Sequence, residues 1–408
     1  MIRDTTTPES RTTDRPCPVC DAKSASLLFT QSFEVIAETK FMDGYDIVIC
    51  DRCGTAFADR IPSQAEFDAY YRDFSKYDYQ HRGGEESAAD RDRLEMLTDS
   101  IVPFIPRPDA RILEIGCANG KLLSLIKQRG FPNVVGLDPS PACADAAQHR
   151  YGIKVLTNTV FNLAPAAEPF DFLIALGVLE HIRDLKPALA RFREQLAPGG
   201  IAFMAVPDAA NLPSRTDAPF QEFSTEHINF FSHSSLANLM SIHGFRESAK
   251  RPPMPPGITA GVFARTDTTT TITRDNETRP GLGRYISECR QFDEELQRRI
   301  RTATHSGESI LVWGVGTHTR RLLANGVLNP ACIAAFIDSD PKYSGQTLRG
   351  VKILGPKDIA RHAEPILVSS YGFQNEIAHH IRHQLGAPNR LILLYDLPGA
   401  PVAQAEAR

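Results

Sequence analysis

Three observations predict an α/β protein in which two doubly wound, mainly parallel sheets follow a small cysteine-rich module. Between Arg111 and about Arg265, short apolar runs alternate with helical stretches, the pattern of strands covered on both faces. The same alternation resumes with "SILVWGVGTHTRRLLANG" and continues almost to the end of the chain. Ahead of both lie two C-x-x-C pairs, Cys17/Cys20 and Cys50/Cys53. A length of 408 residues suits two or three domains.

Composition narrows the function classes. Hydrophobic residues make up 42% and charged residues 23% of the chain, ordinary for a globular enzyme. The net charge of -4, with no basic tail, argues against a nucleic-acid partner, for which a basic face is expected. No apolar run approaches membrane-spanning length, so no membrane partner is expected. The start, "MIRDTTTPESRTTDRP", lacks the apolar core of a signal peptide. It reads as a disordered stretch over residues 1–15 of a cytoplasmic protein.

The first module spans residues 16–70. Each C-x-x-C pair can grip a tetrahedral ion from a tight turn, and the alternating stretch "GYDIVIC" supplies a hairpin between them. Without a secretory signal the pairs read as a structural zinc ribbon rather than as disulfides. Four thiolates close the coordination sphere, so this metal has no catalytic place. Next comes a helical, mixed-charge lead-in containing "YYRDFSKYDYQHR". Its tyrosines either dock on the following domain or cover a substrate pocket.

The third segment reads strand by strand. "RILEIG" is a buried strand, "NGKLLSLIKQRG" a helix, "VVGLD" a strand and "PACADAAQHRYG" a helix. "FDFLIAL" is a strand, "LKPALARFREQLAPGG" a helix with a clear stop, and "IAFMAVP" a strand. "GFRESAKR" and "ITAGVFART" close the sheet as an edge hairpin, which completes a domain over residues 71–265. The threonine-rich stretch 266–283 is a linker with no apolar periodicity. A charged helix from about 284 then opens a second, smaller α/β domain over 284–408.

The chemistry concentrates in "LEIGCANGKLL". Gly116 permits a tight turn after a strand, and small Ala118 and Gly120 let a ligand approach the backbone and the following helix N-terminus. The G-x-A-x-G spacing differs from the dinucleotide fingerprint. Glu114, just before the turn, suits a cationic or amino-bearing ligand. Asp138 closes the next strand about twenty residues further on, where a carboxylate can take two ribose hydroxyls.

These motifs, with "FDFLIALGVLEHIRDL" and "LAPGG", resemble the class I S-adenosylmethionine-dependent methyltransferases over about residues 105–265. The resemblance implies that Glu114, Gly116, Gly120 and Asp138 hold the cofactor, with the loop from Gly177 to Glu180 close to it. Where relatives carry an acid for the adenine amino group, "LTNTVFN" offers Asn158 or Asn162. The full layout is similar to the nucleotide-sugar C-methyltransferases of deoxysugar biosynthesis. It implies a Rossmann-like class I methyltransferase core, an N-terminal zinc ribbon and a second, C-terminal Rossmann-like α/β domain. That family methylates the carbon beside the ketone of a nucleotide-linked 4-keto-6-deoxysugar. Its tyrosine-x-glutamate-histidine stretch falls on "STEHINFFS", with Glu226 and His227 matching and Ser224 at the tyrosine position.

Two roles suit that pair. His227 can act as a general base oriented by Glu226, or the pair can shape a pocket rim while Ser232 or Ser234 caps the next helix. His181, beside Glu180, is a reserve base, and His233 and His243 read as surface or helix-end residues. In the last domain, Gly316, Arg320 and Arg321 at a helix start, with Asp338 beyond, suit the diphosphate of a nucleotide sugar, or the glycines serve packing alone. The expected protein is an enzyme, monomeric or homodimeric, using S-adenosylmethionine and structural zinc. The reaction expected first is C-methylation through an enolate, and second methylation of an oxygen or other heteroatom of a glycan or secondary metabolite. A third reading is a zinc-ribbon binding protein with an inactive core. Glu114, Asp138 and the glycines oppose it.

Overall fold

The computed structural model describes residues 9–36, 41–73, 86, 88–304 and 307–397. It forms two compact units. The first gathers Met1–Phe29, Asp46–Leu212 and Glu226–Gly283; the second gathers Thr30–Tyr45, Pro213–Thr225 and Arg284–Arg408. The expected linear succession of domains therefore does not match the division in space. Its cause is visible in the packing, since Ile36 and Ala218 are buried in one cluster with Leu296, Val312 and Leu322.

In chain order the elements begin with β1 (Ser10–Thr12), β2 (Ser24–Ser32), β3 (Gly44–Cys50), β4 (Ala56–Asp59), α1 (Gln64–Asp73) and α2 (Ala88–Ile101). The central part runs β5 (Ile112–Ile115), α3 (Lys121–Gln128), β6 (Val134–Asp138), α4 (Pro141–Tyr151), β7 (Val155–Thr157), β8 (Phe170–Leu176) and α5 (Leu185–Gln195). It ends with β9 (Leu196–Pro207), β10 (Asn229–Phe230), α6 (His233–Ile242), β11 (Phe245–Glu247), β12 (Ile258–Arg265) and α7 (Thr278–Ala303). No helix among the described residues is long and apolar enough to cross a membrane.

The larger sheet has the order β11-β12-β9-β8-β5-β6-β7. Its strands run parallel from β9 to β7, and β12 and β11 add an antiparallel edge hairpin. The order reverses beside β5, which makes the C-terminal ends of β5 and β8 the switch point where ligands collect in such sheets. Every residue of β5 is buried, as continuous apolar strands covered on both faces require. Each of its Ile and Leu side chains contributes about 1.5–3 kcal/mol by leaving water.

The five-stranded sheet β1-β2-β3-β4-β10 carries the cysteines. It is not a separate module. Val48 and Phe57 share one core with Leu173, Leu189, Phe192 and Phe231. The expectation of a disordered start is corrected at its end: Ser10 pairs with Ser26 and Thr12 with Ser24. The Ser10 hydroxyl also donates to Asp51 at 2.6 Å, and Arg15 is buried with its guanidinium donating to the Ile228 carbonyl and to Asn229 Oδ1. Polar composition misled because this edge is held by hydrogen bonds rather than apolar area. Residues 1–8 lie outside the described residues.

Two further boundaries differ from expectation. The "LAPGG" stretch is not a helix end. α5 stops at Gln195 and Leu196 already pairs with Phe170, after which the register shifts so that Phe172 faces Ile201. Pro198, with no N–H to give the ladder, sits in that irregular stretch. The linker also gives way early to α7, which starts at Thr278 rather than near 284. Buried Asp275 accepts from the backbone N–H groups of Glu277 and Thr278 and from the Thr278 hydroxyl, which anchors the first turn.

The second unit continues with β13 (Ile310–Trp313), α8 (Thr317–Ala324), β14 (Ile333–Ile337), β15 (Thr347–Leu348), β16 (Val351–Leu354), β17 (Ile366–Val368), α9 (Gln374–His379) and β18 (Leu391–Leu393). Its sheet has the order β15-β16-β14-β13-β17-β18, parallel except at the β15–β16 edge. Val312 and Phe336 pack on one face, Leu311 and Trp313 on the other.

Candidate active site

The cofactor turn follows β5. Gly116 has φ +69°, and a Cβ there would lie 2.8 Å from Val178 Cγ2. Gly120, the residue before α3, has φ +76°, and its Cβ would meet Ala147 Cβ at 3.0 Å. Left-handed backbone and close approach together require glycine at both positions. Between them Ala118 takes φ +47°, and its N–H donates to Asp138 Oδ2 at 2.9 Å. Asp138 Oδ1 accepts from Ser140 N at 2.9 Å, and Ser140 caps α4. One buried carboxylate thus fixes two turns, and burial pushes its pKa up to about 6.

Glu114 is also buried, and its Oε2 has no hydrogen-bond partner among the described residues. Burial first, and the neighbouring Asp138 second, push its pKa up to about 8. A buried carboxyl left with an open acceptor is costly unless a ligand completes it. Glu86, from the lead-in, is buried and accepts from Asn119 Nδ2 and Tyr151 Oη, each at 2.5 Å.

These turns border an open cleft of about 150 Å³. Gly116, Ala118, Asp138, Asn158, Gly177 and His181 line it. Of the two asparagines considered for the adenine, Asn158 lines the cleft. The amide group of Asn158 donates to the Asn162 carbonyl at 3.3 Å. Gln64, Asp68 and Tyr71 of α1 reach the same cleft. The orphaned Glu114 oxygen, the glycine-cradled backbone and the carboxylate of Asp138 fit S-adenosylmethionine, which carries an ammonium group and a ribose.

Beyond β8 the chain turns at Gly177 and presents Glu180 and His181. The Glu180 carbonyl accepts from Ile228 N at 2.8 Å and Asn229 N at 3.2 Å, while Asn229 Nδ2 donates to the Leu179 and Ile182 carbonyls. This clamp brings the His181 and His227 rings edge to face, with centroids 4.9 Å apart. Glu180, His181 and His227 place their carboxylate and ring-nitrogen atoms within 4.8 Å of one another. Glu180, read from sequence as a cofactor-side residue, is therefore also the carboxylate beside the histidine pair.

His181 Nδ1 lies 2.9 Å from the Glu226 carbonyl, which can only accept, so this nitrogen carries the proton. Tyr71 Oη sits 3.0 Å from the same nitrogen, and Tyr70 Oη donates to Glu226 Oε1 at 3.2 Å. Sequence reasoning did not single out Tyr70 or Tyr71. Their signal was the tyrosine-rich lead-in, of which residues 74–82 lie outside the described residues. Ser224 is buried in the second unit, where its carbonyl accepts from Tyr45 Oη at 2.8 Å. Ser232, not Ser234, caps α6, in a reciprocal box with Ser235. His233 opens α6, and His243 closes it with burial holding its pKa down.

The four ribbon cysteines are all buried. Cys17 and Cys53 sulfurs are 3.5 Å apart, Cys20 and Cys50 3.4 Å, too far for disulfides. A tetrahedral zinc–thiolate site has sulfur–sulfur edges of about 3.8 Å, so the donor set fits zinc with no coordination position left open.

The second unit does not offer the expected phosphate arginines. Arg321 is buried and bound through both terminal nitrogens to Asp293 at 2.6 and 2.7 Å. Arg320 donates to the Glu34 and Met42 carbonyls. Both side chains serve the fold. Asp338 repeats the Asp138 arrangement, accepting from Val315 N and Asp340 N, each at 2.9 Å.

Residues 81–247 match the family model for a methyltransferase domain, and this part of the chain is such a domain. Residues 306–393 match a second model, described as C2185-like, N-terminal. The chain is 24% identical over 389 residues to C-methyltransferase NovU of Streptomyces niveus, across 89% of this chain and 88% of that one. It is 36% identical over 105 residues to a ubiquinone biosynthesis O-methyltransferase of Azorhizobium caulinodans, but spans only 41% of that relative. Among solved structures, CalS10, an amino pentose methyltransferase of Micromonospora echinaspora, superposes with a TM-score of 0.36 and 20% identity. That superposition covers 47% of this chain and 98% of CalS10.

Proposed function

We propose that this protein methylates a carbon beside a ketone in a nucleotide-linked deoxysugar. The observation that carries the reading is the Glu180, His181 and His227 cluster next to the cofactor cleft. The near full-length similarity to a C-methyltransferase supports it. Glu114, Gly116, Gly120, Asp138 and the Gly177–Glu180 loop hold the cofactor, whose sulfonium supplies an electrophilic methyl group. His227 takes the proton from the α-carbon, as an imidazole working near neutral pH can. Glu226 and the neighbouring groups keep it oriented. Cys17, Cys20, Cys50 and Cys53 hold structural zinc.

Exchange in deuterated water tests this directly. Wild-type protein given UDP- or TDP-4-keto-6-deoxyglucose should wash deuterium into the α-carbon, and His227→Ala should abolish it. No exchange by the wild type, alongside methylation of a hydroxyl substrate, would favour the second reading. That reading is O-methylation, motivated by the higher but shorter identity to an O-methyltransferase.

A further inference from the structure

A carboxylate and two imidazoles meet beside the cofactor cleft. The donor atoms of Glu180, His181 and His227 all lie within 4.8 Å of one another. We propose that these three residues form a second cation site, which takes a borderline divalent ion such as Zn²⁺ or Co²⁺ and whose occupancy switches the reaction off. Two imidazoles and one carboxylate are a donor set that such ions favour, and three protein ligands leave a coordination position open. An ion has a way in from the cleft, which Gly177 and His181 line. The Glu180 carboxylate stands over Gly177, with Oε1 3.4 Å from where a Cβ would be.

The orientation of His181 points to an ion independently of the clustering. A histidine that ligates a metal gives its other ring N–H to a carbonyl or carboxylate, which fixes the tautomer and aims the bare nitrogen at the ion. His181 Nδ1 makes this bond to the Glu226 carbonyl at 2.9 Å, so its Nε2 carries the lone pair. Backbone bonds hold the set together. His181 N closes a turn on the Val178 carbonyl at 3.0 Å, and Ile228 N donates to the Glu180 carbonyl at 2.8 Å. A tetrahedral ion with ligands at about 2.0–2.1 Å spaces its donors by about 3.4 Å, which side-chain rotation reaches from the separations present.

The effect on turnover rests on the function proposed above, whereas the binding does not. A neutral imidazole has one lone pair, and His227 cannot give it to an ion and to the α-proton at once. Ion and proton therefore compete for the same nitrogen.

Protein carrying one zinc per chain is titrated with Co²⁺, followed by calorimetry and by visible absorption, which for nitrogen and oxygen ligands lacks the intense charge-transfer band of thiolates. One further equivalent is expected in the wild type. Its affinity should fall at least about tenfold in Glu180→Gln, His181→Gln and His227→Gln, since outer-shell partners alone are worth about that much. Ribbon zinc and circular dichroism serve as folding controls. The exposed pair His379 and His383, with ring centroids 4.3 Å apart, is the competing surface site, and a protein carrying His379→Gln and His383→Gln should keep the equivalent. No further equivalent, one lost with that surface pair, or one that survives all three cluster substitutions overturns the proposal. Deuterium exchange with TDP-4-keto-6-deoxyglucose should fall in proportion to the Co²⁺ bound and return on chelation that leaves the ribbon zinc in place. Full exchange with the ion bound overturns the switch. A wild type that binds Co²⁺ at these residues yet exchanges no ketosugar removes the function proposed above and leaves the cation site standing.

Discussion

Glu114 carries the sharpest consequence at the scale of one residue. Its ordinary pKa of 4.5 is raised to about 8 in the folded protein. The folded state therefore holds a proton that the unfolded state has lost between those values. The contribution of Glu114 to the stability of the free protein falls as pH rises from about 4.5 towards 8 and levels off above it. A ligand bearing an ammonium group favours the ionised carboxylate, so S-adenosylmethionine binding below pH 8 should expel that proton. Affinity measured by calorimetry should rise up to tenfold per pH unit from about 6 to 8, and Glu114→Gln should flatten the slope. A slope preserved in Glu114→Gln would assign the proton elsewhere. Gly120 makes a second prediction. Any side chain there meets both a left-handed backbone and Ala147, so Gly120→Asp should abolish cofactor binding while the zinc content stays unchanged.

Among the elements, α7 and α1 show what hydrogen bonds add to apolar pattern. Asp275 caps the first turn of α7 through three bonds, and Ser232 donates at 2.7 Å to Oδ2, the oxygen that also accepts from the Thr278 hydroxyl. Asp275→Ala should cost about 1–2 kcal/mol, read as a lowered midpoint in urea unfolding. Asp275→Asn should recover part of it. The same contrast explains which elements were legible in the sequence. β5, β6 and β8 were, because continuous apolar runs ending at Gly116, Asp138 and Gly177 leave few alternatives. β1 was not: Ser10–Thr12 is polar and gains its place only by pairing with Ser24 and Ser26. The candidate site followed the same rule. Glu114, Asp138, Glu226 and His227 stand out by local motif, whereas Tyr70 and Tyr71 earn their positions from partners more than a hundred residues away in sequence. The arginines of α8 misled for the converse reason, since Asp293, which claims Arg321, lies on α7.

At the largest scale, the cysteine-bearing sheet and the methyl-transfer sheet share one buried core. Cys17, Cys53 and Phe57 belong to the same buried cluster as Leu189, Met204 and Phe231. Loss of the metal should therefore be felt beyond the ribbon. Cys17→Ser, or a strong chelator, should remove zinc and also lower the thermal midpoint at which S-adenosylmethionine binding is lost. Unchanged cofactor binding through the ribbon's own unfolding would contradict this coupling.

The pairing of β10 with β4 sets an order on how the chain is made. Phe57 pairs with Asn229 and Ala56 with Phe230, so the outer edge of β4 stays bare until the ribosome has passed those later residues. At ordinary rates of about 5–20 residues per second that interval is roughly ten to thirty seconds. All four cysteines have emerged by then, yet β4 still lacks its partner strand along that edge. A fragment released before Asn229 would leave that edge unpaired and open to association. Completion of the ribbon is thus a late event in the life of the chain, though its ligands are among the first residues translated.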